Sequence, residues 1–109
     1  MAKTMTFKTD DGKAYTLEFT RDTVIATENM GFSLNAIADK PIGMLTILWR
    51  GAFLAHHDTL TIGEVDELFS KVKKVGLMDG LTELYRATIE SLFDEGEDNS
   101  KNSVEWTIS

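Results

Sequence analysis

Cysteine is absent from this chain, which excludes disulfide bonds, thiolate nucleophiles and cysteine-held zinc, and a reducing cytosol fits best. Motifs of catalysis are missing too. There is no glycine-rich phosphate loop, no G-x-S-x-G elbow and no H-E-x-x-H zinc signature, so no enzymatic activity and no cofactor are expected. Basic charge is scarce: 11 Lys and Arg stand against 18 Asp and Glu, for a net charge of −7. Nucleic-acid binders neutralise phosphates with clustered cations, so DNA or RNA is not the expected partner. The start, Met1-Ala2-Lys3-Thr4, lacks an apolar signal core, and no apolar run reaches the roughly 20 residues that cross a bilayer. The expectation is a cytoplasmic, soluble protein with no membrane association. Its 109 residues allow one domain with a modest core.

What is present is a central apolar block. Ten of the fourteen residues in 42–55 are apolar, interrupted by a single arginine, Arg50. Apolar side chains cover nearly the whole helical circumference, and a helix of that kind needs burial on several sides. The other elements of the chain, a second copy or a partner must supply that cover. The one proline, Pro41, suits the first position of this helix.

Around the block the signals are local. Residues 4–19 read as a β-hairpin: Met5, Phe7, Tyr15, Leu17 and Phe19 alternate with polar residues, and Asp10-Asp11-Gly12-Lys13 supplies the turn. Asp22 suits an N-cap for a short helix to about Asn29, with Gly31 as its left-handed stop. Phe32, Leu34 and Ile37 form an apolar linker or single turn. Thr61 and Glu64 make a T-x-x-E capping box, after which Ile62, Val65, Leu68, Phe69 and Val72 share a helix face. Gly76 is expected to stop that helix, with Leu77 reaching back to Val72, and Lys71, Lys73 and Lys74 facing its dipole. A last helix carries Leu81, Leu84, Tyr85, Ile89, Leu92 and Phe93. Residues 94–102 read as a solvated acidic linker. In residues 103–109, Val104, Trp106 and Ile108 alternate with Glu105 and Thr107 like one more strand, which pairs either with the hairpin or with a partner. The expected fold is α+β: an N-terminal β-hairpin, open to a C-terminal strand, packed on a bundle of about four helices, with residues 1–93 as the single globular domain.

The chemistry-bearing residues favour structural roles. His56 and His57 are adjacent, and neighbours on a helix point about 100° apart. A metal would therefore need a non-helical backbone there and a third ligand such as Glu64 or Asp66, and the simpler reading is two helix-end histidines at the negative end of the dipole. Arg50 must reach solvent or a carboxylate such as Glu28 or Asp39, since burying it unpaired costs several kcal/mol. Gly51 permits close approach of another backbone. Trp49 and Phe53, four apart, form core by default and a partner-binding patch as the alternative.

Several segments together resemble a known group. They are Tyr15-Thr16-Leu17-Glu18-Phe19-Thr20-Arg21, then Gly31-Phe32, Lys40-Pro41, Gly51-Ala52-Phe53-Leu54-Ala55-His56-His57, and a tail with Asp94-Glu95 and Trp106-Thr107. These resemble small proteins from the tail-morphogenesis regions of siphophages and prophages of Gram-positive bacteria. The L-W-x-G at 48–51 followed by L-T-x-x-E-V at 60–65 is similar to the wider group of phage and gene-transfer-agent tail assembly chaperones. The resemblance implies a non-catalytic protein that binds the long tape measure protein during tail assembly in the host cytoplasm, with the tail tube protein as a second candidate partner. It nominates surfaces rather than catalytic residues. The expected contact set for partner binding or homo-oligomer formation is Ile42, Leu45, Trp49 and Phe53 with the tail residues Val104, Trp106 and Ile108. Two alternatives stand beside it: a structural tail-completion or tube-associated protein, and a small acidic regulator of another protein.

Overall fold

The computed structural model describes residues 3–93; the acidic segment 94–102 and the alternating segment 103–109 lie outside the described residues. Alternation near the N-terminus yields an antiparallel hairpin of β1 (Met5–Lys8) and β2 (Ala14–Leu17), with Met5 opposite Leu17 and Phe7 opposite Tyr15. Its turn is held by the Thr9 amide on the Lys13 carbonyl and the Gly12 amide on the Thr9 carbonyl, both at 2.9 Å. The Asp11 carboxylate accepts from the Thr9 hydroxyl and the Lys13 amide, an Asx arrangement that competes well with solvent.

Among the described residues four α-helices follow. The first, α1 (Arg21–Asn29), is capped by Thr20 rather than the expected Asp22. Thr20 accepts from the Thr23 amide, and the Thr23 hydroxyl accepts in return from the Thr20 amide at 2.8 Å. That reciprocity is open to Thr20 and leaves Asp22 in the first turn, where its charge still favours the dipole. Gly31 ends the helix in the left-handed region at φ +109°. A single 3-10 turn, Leu34–Ala36, leads to α2 (Pro41–Phe53), with Pro41 at its first position. The expected Thr61 and Glu64 capping box opens α3 (Ile62–Phe69).

α3 is shorter than its apolar spacing implied. It ends at Phe69, and the Ser70 hydroxyl donates to the Glu67 carbonyl at 2.6 Å, a local bond that competes with helix continuation. Val72 and the three lysines therefore lie beyond the helix. Gly76 does not stop α3 but precedes α4 (Leu77–Phe93), which buries Leu77 as its first anchor. Among the described residues no helix is long and apolar enough to cross a membrane.

The fold is α+β, with the hairpin and the other helices gathered around α2. Leu48, Trp49, Ala52 and Phe53 are each at most 1% exposed. The Trp49 ring lies between Phe7 of β1, at 5.7 Å, and Phe69 of α3, at 5.5 Å. Its indole Nε1 donates to the Val65 carbonyl at 2.8 Å, so the buried polar group is satisfied. On the other side Tyr85 of α4 meets Phe19 and Phe32 edge-on at 5.1 and 4.8 Å. The hairpin is tied down by the Glu18 amide on the Ala52 carbonyl and by the Thr88 hydroxyl on the Phe19 carbonyl, both at 3.1 Å.

α1 packs on α2 at Gly51, as the sequence suggested. A β-carbon there would fall 2.0 Å from the Thr27 hydroxyl oxygen, and Thr27 is fully buried with its hydroxyl bonded to the Thr23 carbonyl. Gly51→Ala is expected to destabilise the fold by about 1–3 kcal/mol through overpacking. Adding Thr27→Ala, which removes the two nearest atoms and leaves the Thr27 β-carbon, should recover part of the loss. Thermal unfolding of the two variants measures both effects.

Candidate protein-binding surface

The residues expected to line a binding patch divide sharply. Leu45, Trp49 and Phe53 are buried, at 9%, 1% and 1% exposure, which corrects the expectation of an open groove around them. The hairpin supplies Phe7 and α3 supplies Phe69, so the chain covers its own apolar helix. Ile42, in the first turn of α2, is 74% exposed and remains available to a partner. Val104, Trp106 and Ile108 lie outside the described residues.

A different apolar surface is open. Where the ends of α1 and α2 meet the start of α3, a cleft of about 130 Å³ is lined by Met30, Phe53, Leu54, Leu60, Ile62 and Val65, with Arg50 and His57 completing it. Met30 and Ile62 are 39% and 60% exposed. Local chemistry places each wall. The capping box puts Leu60 just before the cap and Val65 at the fourth helical position, the two positions of a hydrophobic staple. Met30 caps α1 just before the left-handed Gly31. The sequence marks Met30 only as an apolar anchor of the first helix, beside Val24 and Ile25, gives Leu54 and Leu60 no surface role, and sets Ile62 on one face with Val65, Leu68, Phe69 and Val72. The staple positions were the available signal for Leu60 and Val65.

Arg50 meets Asp66 rather than Glu28 or Asp39. The pairing is bidentate, Nε to Oδ1 at 3.0 Å and Nη2 to Oδ2 at 2.7 Å, and it spans α2 and α3 beside the cleft. The guanidinium holds the Asp66 carboxyl below its ordinary value, and the carboxylate raises Arg50 in turn. Both side chains are about a third exposed, so the pair contributes at most about 1 kcal/mol and acts mainly to orient the two helices.

The family model for a domain of unknown function, DUF5055, matches residues 1–109. The chain belongs to the DUF5055 family. No curated protein and no solved structure gives a significant match.

The two histidines of this DUF5055 chain face the hairpin. His57 Nε2 accepts from the Thr16 amide of β2 at 3.0 Å, and His56 Nε2 lies 2.6 Å from the Glu18 carboxylate. They fasten the end of α2 to β2, a role that the helix-dipole reading did not anticipate. Among the described residues no three His, Cys, Asp or Glu side chains gather in a metal-binding group.

The bond to Thr16 requires His57 to be neutral, with its proton on Nδ1. Burial, and secondarily the neighbouring His56, hold His57 below the ordinary histidine value of 6.5. As pH falls the unfolded chain therefore takes up this proton first. The stability that neutral His57 contributes is complete above about pH 6.5 and is lost as pH drops through its lower folded value. His57→Ala should cost about 1 kcal/mol at pH 7.5, by leaving the Thr16 amide unpaired, and should lessen the loss of stability on acidification to pH 5. Urea unfolding at the two pH values reads out both effects.

Proposed function

We propose that this DUF5055 protein is a non-catalytic chaperone of phage tail assembly that holds the tape measure protein during tail morphogenesis. The observation that carries the reading is the apolar cleft between α1, α2 and α3. Its lining is almost wholly hydrocarbon, and its size suits one large apolar side chain of an amphipathic partner helix. A tape measure protein is a long helical chain with apolar stretches, so many weak sites of this kind along it would keep it in solution. The net charge of −7 would hold such a coated assembly apart by repulsion. Exposed Ile42 offers a second apolar contact, for the tape measure protein or for a neighbouring copy of the chaperone. The site of action in this reading is the host cytoplasm, before tube subunits displace the chaperone.

Co-expression with a neighbouring tape measure gene tests the reading. The tape measure protein should be soluble with this chain and aggregated without it; equal solubility in both cases would overturn the proposal. Ile62→Asp provides a finer probe, because an acidic residue in the first turn of α3 suits the helix dipole and leaves the fold intact. It removes one apolar wall of the cleft and should weaken the complex about tenfold or more, equivalent to roughly 1.4 kcal/mol, as measured by titration calorimetry.

A further inference from the structure

β1 is an open edge of the hairpin. The Thr9 amide bonds to the Lys13 carbonyl and Phe7 faces Tyr15, so the odd residues of β1 exchange hydrogen bonds with β2. The backbone groups of Thr6 and Lys8 consequently point away from β2. On the far side of the hairpin the outward amides of Thr16 and Glu18 are filled, by the His57 ring and by the Ala52 carbonyl. Among the described residues nothing hydrogen-bonds the backbone of Thr6 or Lys8 beyond the hairpin. Such an edge is a template for another strand.

Next to it runs a trench of about 440 Å³, lined by Phe7, Lys8 and Thr9, by the turn, and by Lys71 and Val72 beyond α3. No residue of β2 lines it, so it lies on the open side of β1. Phe7 and Val72 give it apolar surface, while the charges of Lys8 and Lys71 are balanced by those of Asp10 and Asp11.

The chain carries a matching segment. Ser91 and Leu92 share a cleft with Lys3, which puts the exit of α4 beside the start of β1. Residues 94–102 reach about 30 Å when extended, more than twice the length of β1, at about 3.3 Å per residue. Beyond them Val104, Trp106 and Ile108 alternate with Glu105 and Thr107, the pattern of a strand with one buried face.

We propose that residues 104–108 of the same chain add to β1 as a third strand, seating Trp106 over Phe7 and Val72. In this arrangement Val104, Trp106 and Ile108 complete the fold instead of contacting a foreign partner.

The absence of cysteine makes the test direct. Two full-length double variants, Thr6→Cys with Glu105→Cys and Thr6→Cys with Thr107→Cys, pair side chains on the outer face of the sheet. Mild oxidation should close a disulfide within the monomer in at least one of them. Hydrogen exchange on the unmodified chain should find the Thr6 and Lys8 amides protected like those of Met5 and Phe7. Trp106→Asp should release Thr6 and Lys8 while Met5 and Phe7 stay protected. Freely exchanging Thr6 and Lys8 amides in the unmodified chain, or protection indifferent to Trp106→Asp, would overturn the proposal. Disulfides that form only between two chains would overturn it as well, and would assign the edge to a second copy.

Discussion

Burial of the α2 face bearing Leu48, Trp49, Ala52 and Phe53 is the constraint on which the rest of the molecule depends. β2, α1, α3 and α4 all pack on this helix, each with a different device. α1 approaches through the bare backbone at Gly51, β1 brings Phe7 against the Trp49 ring, and α3 offers the Val65 carbonyl to its indole. Removing a buried tryptophan typically costs about 3–5 kcal/mol, a large fraction of the stability of a domain this size. The hairpin gains equally from the arrangement, since two strands alone are marginal in water.

The same packing decides what the surface can do. The end of α2 is fastened on two sides, to β2 by His56 and His57 and to α3 by Arg50 and Asp66. The apolar cleft lies between these fastenings, so its walls belong to anchored helix ends rather than to free loops. A preformed cleft loses less side-chain and backbone entropy on binding than one that must be ordered by its ligand. Adhesion thus moves from the buried aromatic rings to the smaller aliphatic side chains at their margin.

Features encoded within a few residues of one another were legible in the sequence. The hairpin, the Pro41 start, the left-handed Gly31, the capping box at Thr61 and the close approach at Gly51 each rest on local stereochemistry that tertiary packing did not override. Where two local signals competed, the sequence misled: Thr20 and Asp22 both suit a cap, and only the Thr23 hydroxyl separates them. Long-range choices were not legible. That Arg50 faces Asp66 depends on the relative rotation of α2 and α3. Core packing is the default reading of Trp49 and Phe53 and holds, but that the hairpin rather than a second chain supplies the cover depends on where the hairpin docks. The cleft shares this origin, because Met30 and Ile62 become neighbours only after three helices converge.

The Thr88 hydroxyl on the Phe19 carbonyl has a bearing on how the molecule is made. It joins the penultimate turns of α4 to a segment synthesised long before it, and Tyr85 does the same for Phe19 and Phe32. While the ribosome is still adding α4, the hairpin and the apolar α2 have no complete shelter. Closure of the core must therefore wait until nearly all of residues 3–93 have left the exit tunnel, and the nascent chain spends that interval with its greasiest helix partly uncovered.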